Sequence, residues 1–212
     1  MAELFIPGPR GRLQAVLWTP RGGQAARAAA VMCHPHPLFG GTMNSSVVFR
    51  ASRGLELAGV QVLRFNFRGV GESEGRHDGH GGEGDDLRAA LAWLAERSGG
   101  LELWAGGFSF GARTAAAVAV DDARVSRVVL VALPVTAFDC SFVRDLRKPG
   151  LIAMAEKDEY GTRAELRAQF PGLHPELEVE EVAGTGHFFE GATQRLQELV
   201  RQWAARTLAR ST

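Results

Sequence analysis

Apolar positions along the chain fall into short runs separated by longer amphipathic stretches. Runs at 28–33, 60–67, 125–132, 151–155 and 177–182 are fenced by Gly, Pro or polar clusters and are too short for helices, so they predict strands. Segments 3–6, 13–19 and 101–105 read the same way, making about eight. Between them, 44–57 mixes polar and apolar residues at helical spacing, and Leu87, Leu91 and Leu94 form one stripe over 87–97. Asp85 and Asp86, just ahead of that stripe, suit a helix N-terminus by capping and by the macrodipole. An Ala-rich helix over 112–120 and an amphipathic one over 193–208 follow. No repeat and no break in composition marks a second domain. The alternation therefore predicts a single α/β domain over 1–212, with a mostly parallel, twisted sheet flanked by five or so helices.

Composition narrows the partners. Lys plus Arg equals Asp plus Glu at 24 each, which argues against nucleic acid, because such binding draws on excess cationic charge. Cys33 and Cys140 make no disulfide framework, and Cys33 lies in an apolar run that suits a buried structural thiol. No secretory signal is visible at the N-terminus, and no stretch approaches the ~20 apolar residues that cross a bilayer. A cytoplasmic protein with no membrane partner is expected. The sequence is silent on oligomeric state.

One motif carries chemistry. Gly107-Phe108-Ser109-Phe110-Gly111 stands between the strand at 101–105 and the helix at 112–120. On such a strand–turn–helix the serine hydroxyl is pushed out of the sheet, and the flanking glycines spare collisions as the chain folds back. The following helix aims its positive end at the site, where an oxyanion would develop. A serine needs a base, normally a histidine oriented by a carboxylate, and for this elbow the acid precedes the histidine in chain order. The strand at 151–155 runs into Asp158, and that at 177–182 into His187, giving a candidate triad of Ser109, Asp158 and His187. Glu156 and Asp139 compete for the acid, and His174, in a polar Pro/Gly segment, for the base. His77, Asp78 and His80, with Glu83, Asp85 and Asp86, offer metal-ligand types, but at a spacing that matches no established site. A polar loop explains them more simply. No metal or cofactor is expected.

These segments, with Cys33-His34-Pro35-His36-Pro37-Leu38-Phe39-Gly40-Gly41-Thr42-Met43 and Arg64-Phe65-Asn66-Phe67-Arg68-Gly69-Val70-Gly71-Glu72-Ser73-Glu74-Gly75, resemble the α/β-hydrolase superfamily over nearly all of the chain. Within it the chain is similar to the small lidless esterases related to dienelactone hydrolase, which carries cysteine where Ser109 stands. The resemblance implies esterase chemistry rather than dienelactone hydrolysis. It also implies a structural bracing role for Arg64 and Arg68, with anion recognition as the lesser alternative.

An oxyanion hole needs two backbone N–H donors, one of them from Phe110. The other comes from the loop after the third strand, where Pro35 and Pro37 have none to give, leaving His36, Leu38 or a later residue. The family's His-Gly-x loop implies His36, with His34 bracing the loop. Only 134–148 separates the sixth strand from the next, too short for a folded cap. An open, shallow site lined by Leu38, Phe39, Phe108, Phe188 and Phe189 is expected, taking short or exposed carboxylic esters of small molecules through an acyl-enzyme. Thioester hydrolysis or acyl transfer would use the same triad, and a non-catalytic binding protein would keep the fold alone.

Overall fold

The computed structural model describes residues 3–77, 79 and 81–210. Its eight strands are β1 (Glu3–Gly8), β2 (Gly11–Trp18), β3 (Ala28–Cys33), β4 (Val60–Phe65), β5 (Leu103–Phe108), β6 (Val125–Val131), β7 (Gly150–Ala155) and β8 (Leu177–Val182). They form one sheet in the order β1-β2-β4-β3-β5-β6-β7-β8. Only β2 runs against its neighbours; every pairing from β4 through β8 is parallel.

Parallel strands need crossovers, and five helices supply them and the closing segment: α1 (Ser46–Leu57), α2 (Gly82–Arg97), α3 (Phe110–Asp121), α4 (Arg163–Gln169) and α5 (Thr193–Arg210). They cover both faces of the sheet, so β3, β5 and β7 are buried along their whole lengths. Successive residues of β3 divide between two cores by the period of two: Ala29, Val31 and Cys33 join the side chains of α2 and α3, while Ala28, Ala30 and Met32 join those of α1 and α5. Cys33 and Cys140 are buried free thiols, and burial pushes both up, Cys140 to about 11. Among the described residues no helix is long and apolar enough to cross a membrane.

The predicted eight-stranded, mostly parallel α/β sheet is the observed one, and the 134–148 segment holds only a short 3-10 turn, Ser141–Asp145, with no cap. Three local readings are corrected. The fifth strand lies at Leu103–Phe108 rather than 101–105, so it takes in Gly106 and Gly107. α2 starts at Gly82, which puts Asp85 and Asp86 inside its first turns rather than ahead of it. α4 was not foreseen as an element; a Thr162–Glu165 capping box starts it.

Strand order reverses direction of winding between β3 and β5, the position where ligands enter open α/β sheets, beyond the carboxyl ends of the strands. The loops leaving β3, β5, β7 and β8 converge there.

Candidate active site

Ser109 is the single residue between β5 and α3, at φ 55° and ψ −118°. It is one of three non-glycine residues with positive φ among those described; Ala132 and Phe189 are the others, each a residue or two beyond a strand end or His187. Strain of this kind costs about 1–3 kcal/mol and persists only where the surroundings enforce it. Here the Ser109 N–H donates to the Val131 carbonyl at 2.9 Å, tying the turn to β6. The glycines are sterically required as expected: a Cβ on Gly111 would stand 2.5 Å from the carbonyl oxygens of Cys33 and His34, and one on Gly107 2.5 Å from the Gly111 carbonyl carbon.

The strand-end turns after β7 and β8 are stitched together by Lys157 N–H donating to the Thr185 carbonyl at 3.0 Å and Gly184 N–H to Glu156 Oε2 at 2.6 Å. That pairing brings His187 onto Asp158, with Nδ1 at 2.8 Å from Oδ1 and 3.0 Å from Oδ2. On its other side, His187 Nε2 lies 2.9 Å from Ser109 Oγ. A carboxylate only accepts, so Nδ1 carries the proton and Nε2 is left to accept from the serine hydroxyl. Asp158 and His187 are buried, and Ser109 is 9% exposed, open on the side of the cavity. Tyr160 N–H donates to Asp158 Oδ1 at 2.9 Å, and the Tyr160 ring meets His187 edge-on at 4.6 Å. The arrangement can relay a proton from hydroxyl to imidazole while the carboxylate holds the ring. The rival residues are occupied elsewhere. Asp139 is exposed and accepts from Ser141 N–H at 2.9 Å, Glu156 bonds Gly184, and His174 accepts from Glu176 N–H at 3.3 Å.

The loop after β3 is held by polar contacts to buried side chains. His34 is buried; its Nε2 accepts from Phe67 N–H at 3.0 Å and its Nδ1–H donates to the Pro35 carbonyl at 2.6 Å. Burial pushes this imidazole down to about 4, so it is a neutral brace. Arg64 Nη1 donates to the Met43 carbonyl at 2.7 Å and its guanidinium lies 4.1 Å from the Trp18 ring centre, while Arg68 makes a buried bidentate pair with Asp86. Both arginines thus brace the protein, in line with the structural reading. At the loop itself, His36 caps the 3-10 turn Pro37–Phe39, and its Nδ1 accepts from Leu38 N–H at 3.2 Å. The N–H groups of Phe39 and Gly41 donate to the His36 carbonyl. Of the donors this loop offered, Leu38 is therefore engaged, whereas the N–H of His36 and that of Phe110 have no partner among the described residues.

Ser109 and His187 open into a cavity of about 380 Å³. The site is open, as a missing cap implies, and that volume falls within the range of small-molecule pockets. Phe39, Phe108 and Phe188 line it as expected, whereas Leu38 does not: the 3-10 turn leaves it outside the wall and 69% exposed. Phe189 is fully buried behind the wall. Tyr160, Phe138 and Val47 line the cavity and were missed. Of the polar loop read at 77–80, Asp78 and His80 lie outside the described residues; His77 Nδ1 sits 2.6 Å from the buried Glu83 Oε1.

The sequence signature of the alpha/beta hydrolase fold family matches residues 32–141, more than half of the chain. Among solved structures, an alpha-beta serine hydrolase homologue from Coxiella burnetii is 36% identical, with a TM-score of 0.88 over 95% of this chain and 96% of that one. An α/β serine hydrolase without lid from Xanthomonas campestris is 32% identical, with a TM-score of 0.87 over 97% of this chain and 94% of that one. An uncharacterized protein of Rickettsia prowazekii is 30% identical, covering 96% of this chain and 88% of its own length. Strand order, the elbow, the missing cap and these likenesses agree: the chain belongs to the alpha/beta hydrolase fold family, in its lidless form.

Proposed function

We propose that the protein is a serine esterase that hydrolyses carboxylic esters of small molecules through an acyl-enzyme. The observation that carries this reading is the unbroken run of hydrogen bonds from Asp158 through His187 to Ser109 Oγ, opening on a cavity. Ser109 Oγ attacks the ester carbonyl carbon as its proton passes to His187 Nε2, and Asp158 stabilises the imidazolium. The unengaged N–H groups of Phe110 and His36 stabilise the oxyanion, helped by the N-terminus of α3. As the tetrahedral adduct collapses, the carbon–alkoxy bond breaks and His187 returns the proton to the leaving alcohol. Water then attacks the acyl-serine by the same route, its proton going to His187 and on to Ser109 as the acid departs. Phe39, Phe108 and Phe188 contact the substrate. The Est1E structures from Butyrivibrio proteoclasticus and an esterase domain from Rhodothermus marinus, at 21% identity or less, share the fold of this chain.

The test is hydrolysis of p-nitrophenyl esters from acetate to dodecanoate by the wild type beside Ser109→Ala. Turnover is expected in the wild type and a fall on the order of 10⁴-fold or more in the variant. Activity that survives in Ser109→Ala would overturn the assignment of the nucleophile.

A further inference from the structure

Among the described residues the chain leaves eight large hydrophobic side chains exposed, and four of them, Phe39, Phe138, Tyr160 and Phe188, line the single cavity onto which Ser109 opens. Scattered exposed apolar residues need no explanation, but a cluster of rings around one opening does. The rings form two groups, one around His187 and one around His36. In the first, Tyr160, Phe188 and Phe108 surround His187, at 4.6, 5.2 and 5.0 Å between ring centres. In the second, Phe39 and Phe138 flank the His36 ring at 4.8 and 6.2 Å. Phe39 is 83% and Phe188 53% exposed, so most of their surface awaits a partner. No Lys, Arg, Asp or Glu side chain lines the cavity among the described residues. An ionised group packed against those rings would give up part of its hydration with no counter-charge to meet it.

Resting on the esterase reading above, the geometry points to an uncharged ester carrying an aryl group as the substrate class of this site, the ring packing against the exposed rings of Phe39, Phe138, Tyr160 and Phe188. Aromatic groups prefer edge-to-face or offset contact with other rings, and such pairs gain beyond the area they bury. A saturated ring of the same size has the area without that gain. The cavity of about 380 Å³ is large enough for a phenylalkyl group and leaves an acetyl group mostly unsupported.

The experiment compares kcat/KM for matched esters of equal intrinsic reactivity. Ethyl 3-phenylpropanoate is set against ethyl 3-cyclohexylpropanoate, and 2-phenylethyl acetate against 2-cyclohexylethyl acetate, so that the ring is tried on the acyl side and on the alcohol side. In at least one pair the aryl ester is expected to win by about two- to tenfold, the advantage falling toward one in Phe138→Leu, which keeps an apolar side chain and removes the ring. Ethyl 3-(4-carboxyphenyl)propanoate should fall on the order of tenfold or more below its 4-methyl counterpart. Ratios of one or less in both pairs, an undiminished rate for the carboxylate, or a preference for ethyl octanoate over ethyl 3-phenylpropanoate would overturn the substrate class. Ethyl acetate is the control for the chemistry itself. If no ester is turned over through Ser109, the esterase reading fails; if ethyl acetate is turned over without the aryl preference, only the substrate class fails.

Discussion

His34 makes the stability of this fold depend on pH in a direction that can be worked out. Its ring is buried, its Nε2 must stay unprotonated to accept from Phe67 N–H, and burial pushes it from 6.5 down to about 4. Above 6.5 the ring is neutral in native and unfolded chains alike, and its contribution is fully present. Between 6.5 and 4 the unfolded chain takes up a proton that the native one refuses, so stability is lost as pH falls through that window. Linkage gives a loss of about 2 kcal/mol between pH 7.5 and pH 5, levelling at about 3 kcal/mol below pH 4. Other groups titrate in the same range, and a variant removes them by subtraction. His34→Gln keeps an acceptor for Phe67 N–H but nothing that titrates. At pH 7.5 it should be less stable than the wild type by about 1–2 kcal/mol, through imperfect placement of that bond. By pH 5 that deficit should vanish or reverse. Urea titrations followed by tryptophan fluorescence, across pH 5 to 7.5, measure both curves; Trp104 and Trp203 are buried against each other at 5.4 Å and report the core. Parallel curves, with the deficit constant across the range, would refute the reasoning.

Two further outcomes follow from the site. Ser109 holds positive φ with a Cβ in place, so Ser109→Gly should be more stable than Ser109→Ala by about 1 kcal/mol, after the extra freedom glycine gives the unfolded chain is subtracted. Both variants lack the hydroxyl; a Tm about 3 °C higher for the glycine form is the expected reading, and equal melting would remove strain from the account of the elbow. Asp158→Asn presents an amide to His187 Nδ1 and favours the tautomer whose Nε2 bears a proton and cannot accept from Ser109. A drop in kcat on the order of 10⁴-fold, with KM little changed, is expected in steady-state assays.

The sequence made the sheet legible because its central strands are buried on both faces over most of their length and so spell apolar runs at 28–33, 128–131 and 151–155. It misplaced β5 because Gly106-Gly107 reads as a turn, whereas the chain uses these glycines for close packing: a Cβ on Gly106 would meet Met32 Sδ and the Val129 carbonyl at 2.6 Å. The start of α2 escaped because its first inward residues are Gly82, which has no side chain, and Glu83 and Asp86, buried polar residues paired with His77 and Arg68, which no hydrophobic stripe reveals. α4 buries only Leu166 and shows no stripe; its capping box was the available signal. The residues proposed as the triad were readable because elbow, acid turn and histidine turn each follow a strand in fixed order. The cavity wall was not. Tyr160 and Phe138 reach it on loops whose course no local pattern encodes, and Leu38 was placed there on hydrophobicity alone although its turn carries it to the outside.

The reversal at the centre of the sheet also shapes how the chain must be made. β3 finds β4 early, but its other edge waits for β5, whose Leu103 pairs with Ala29 only after α1, β4 and α2 have been synthesised. Closing so long a loop is entropically slow, and until it happens a wholly apolar strand presents unpaired N–H and C=O groups. A nascent chain stalled before β5, or a fragment cut there, therefore carries an open sheet edge that the finished protein never displays. For this fold the hazard of aggregation belongs to biosynthesis, concentrated in the interval between the third strand and the fifth.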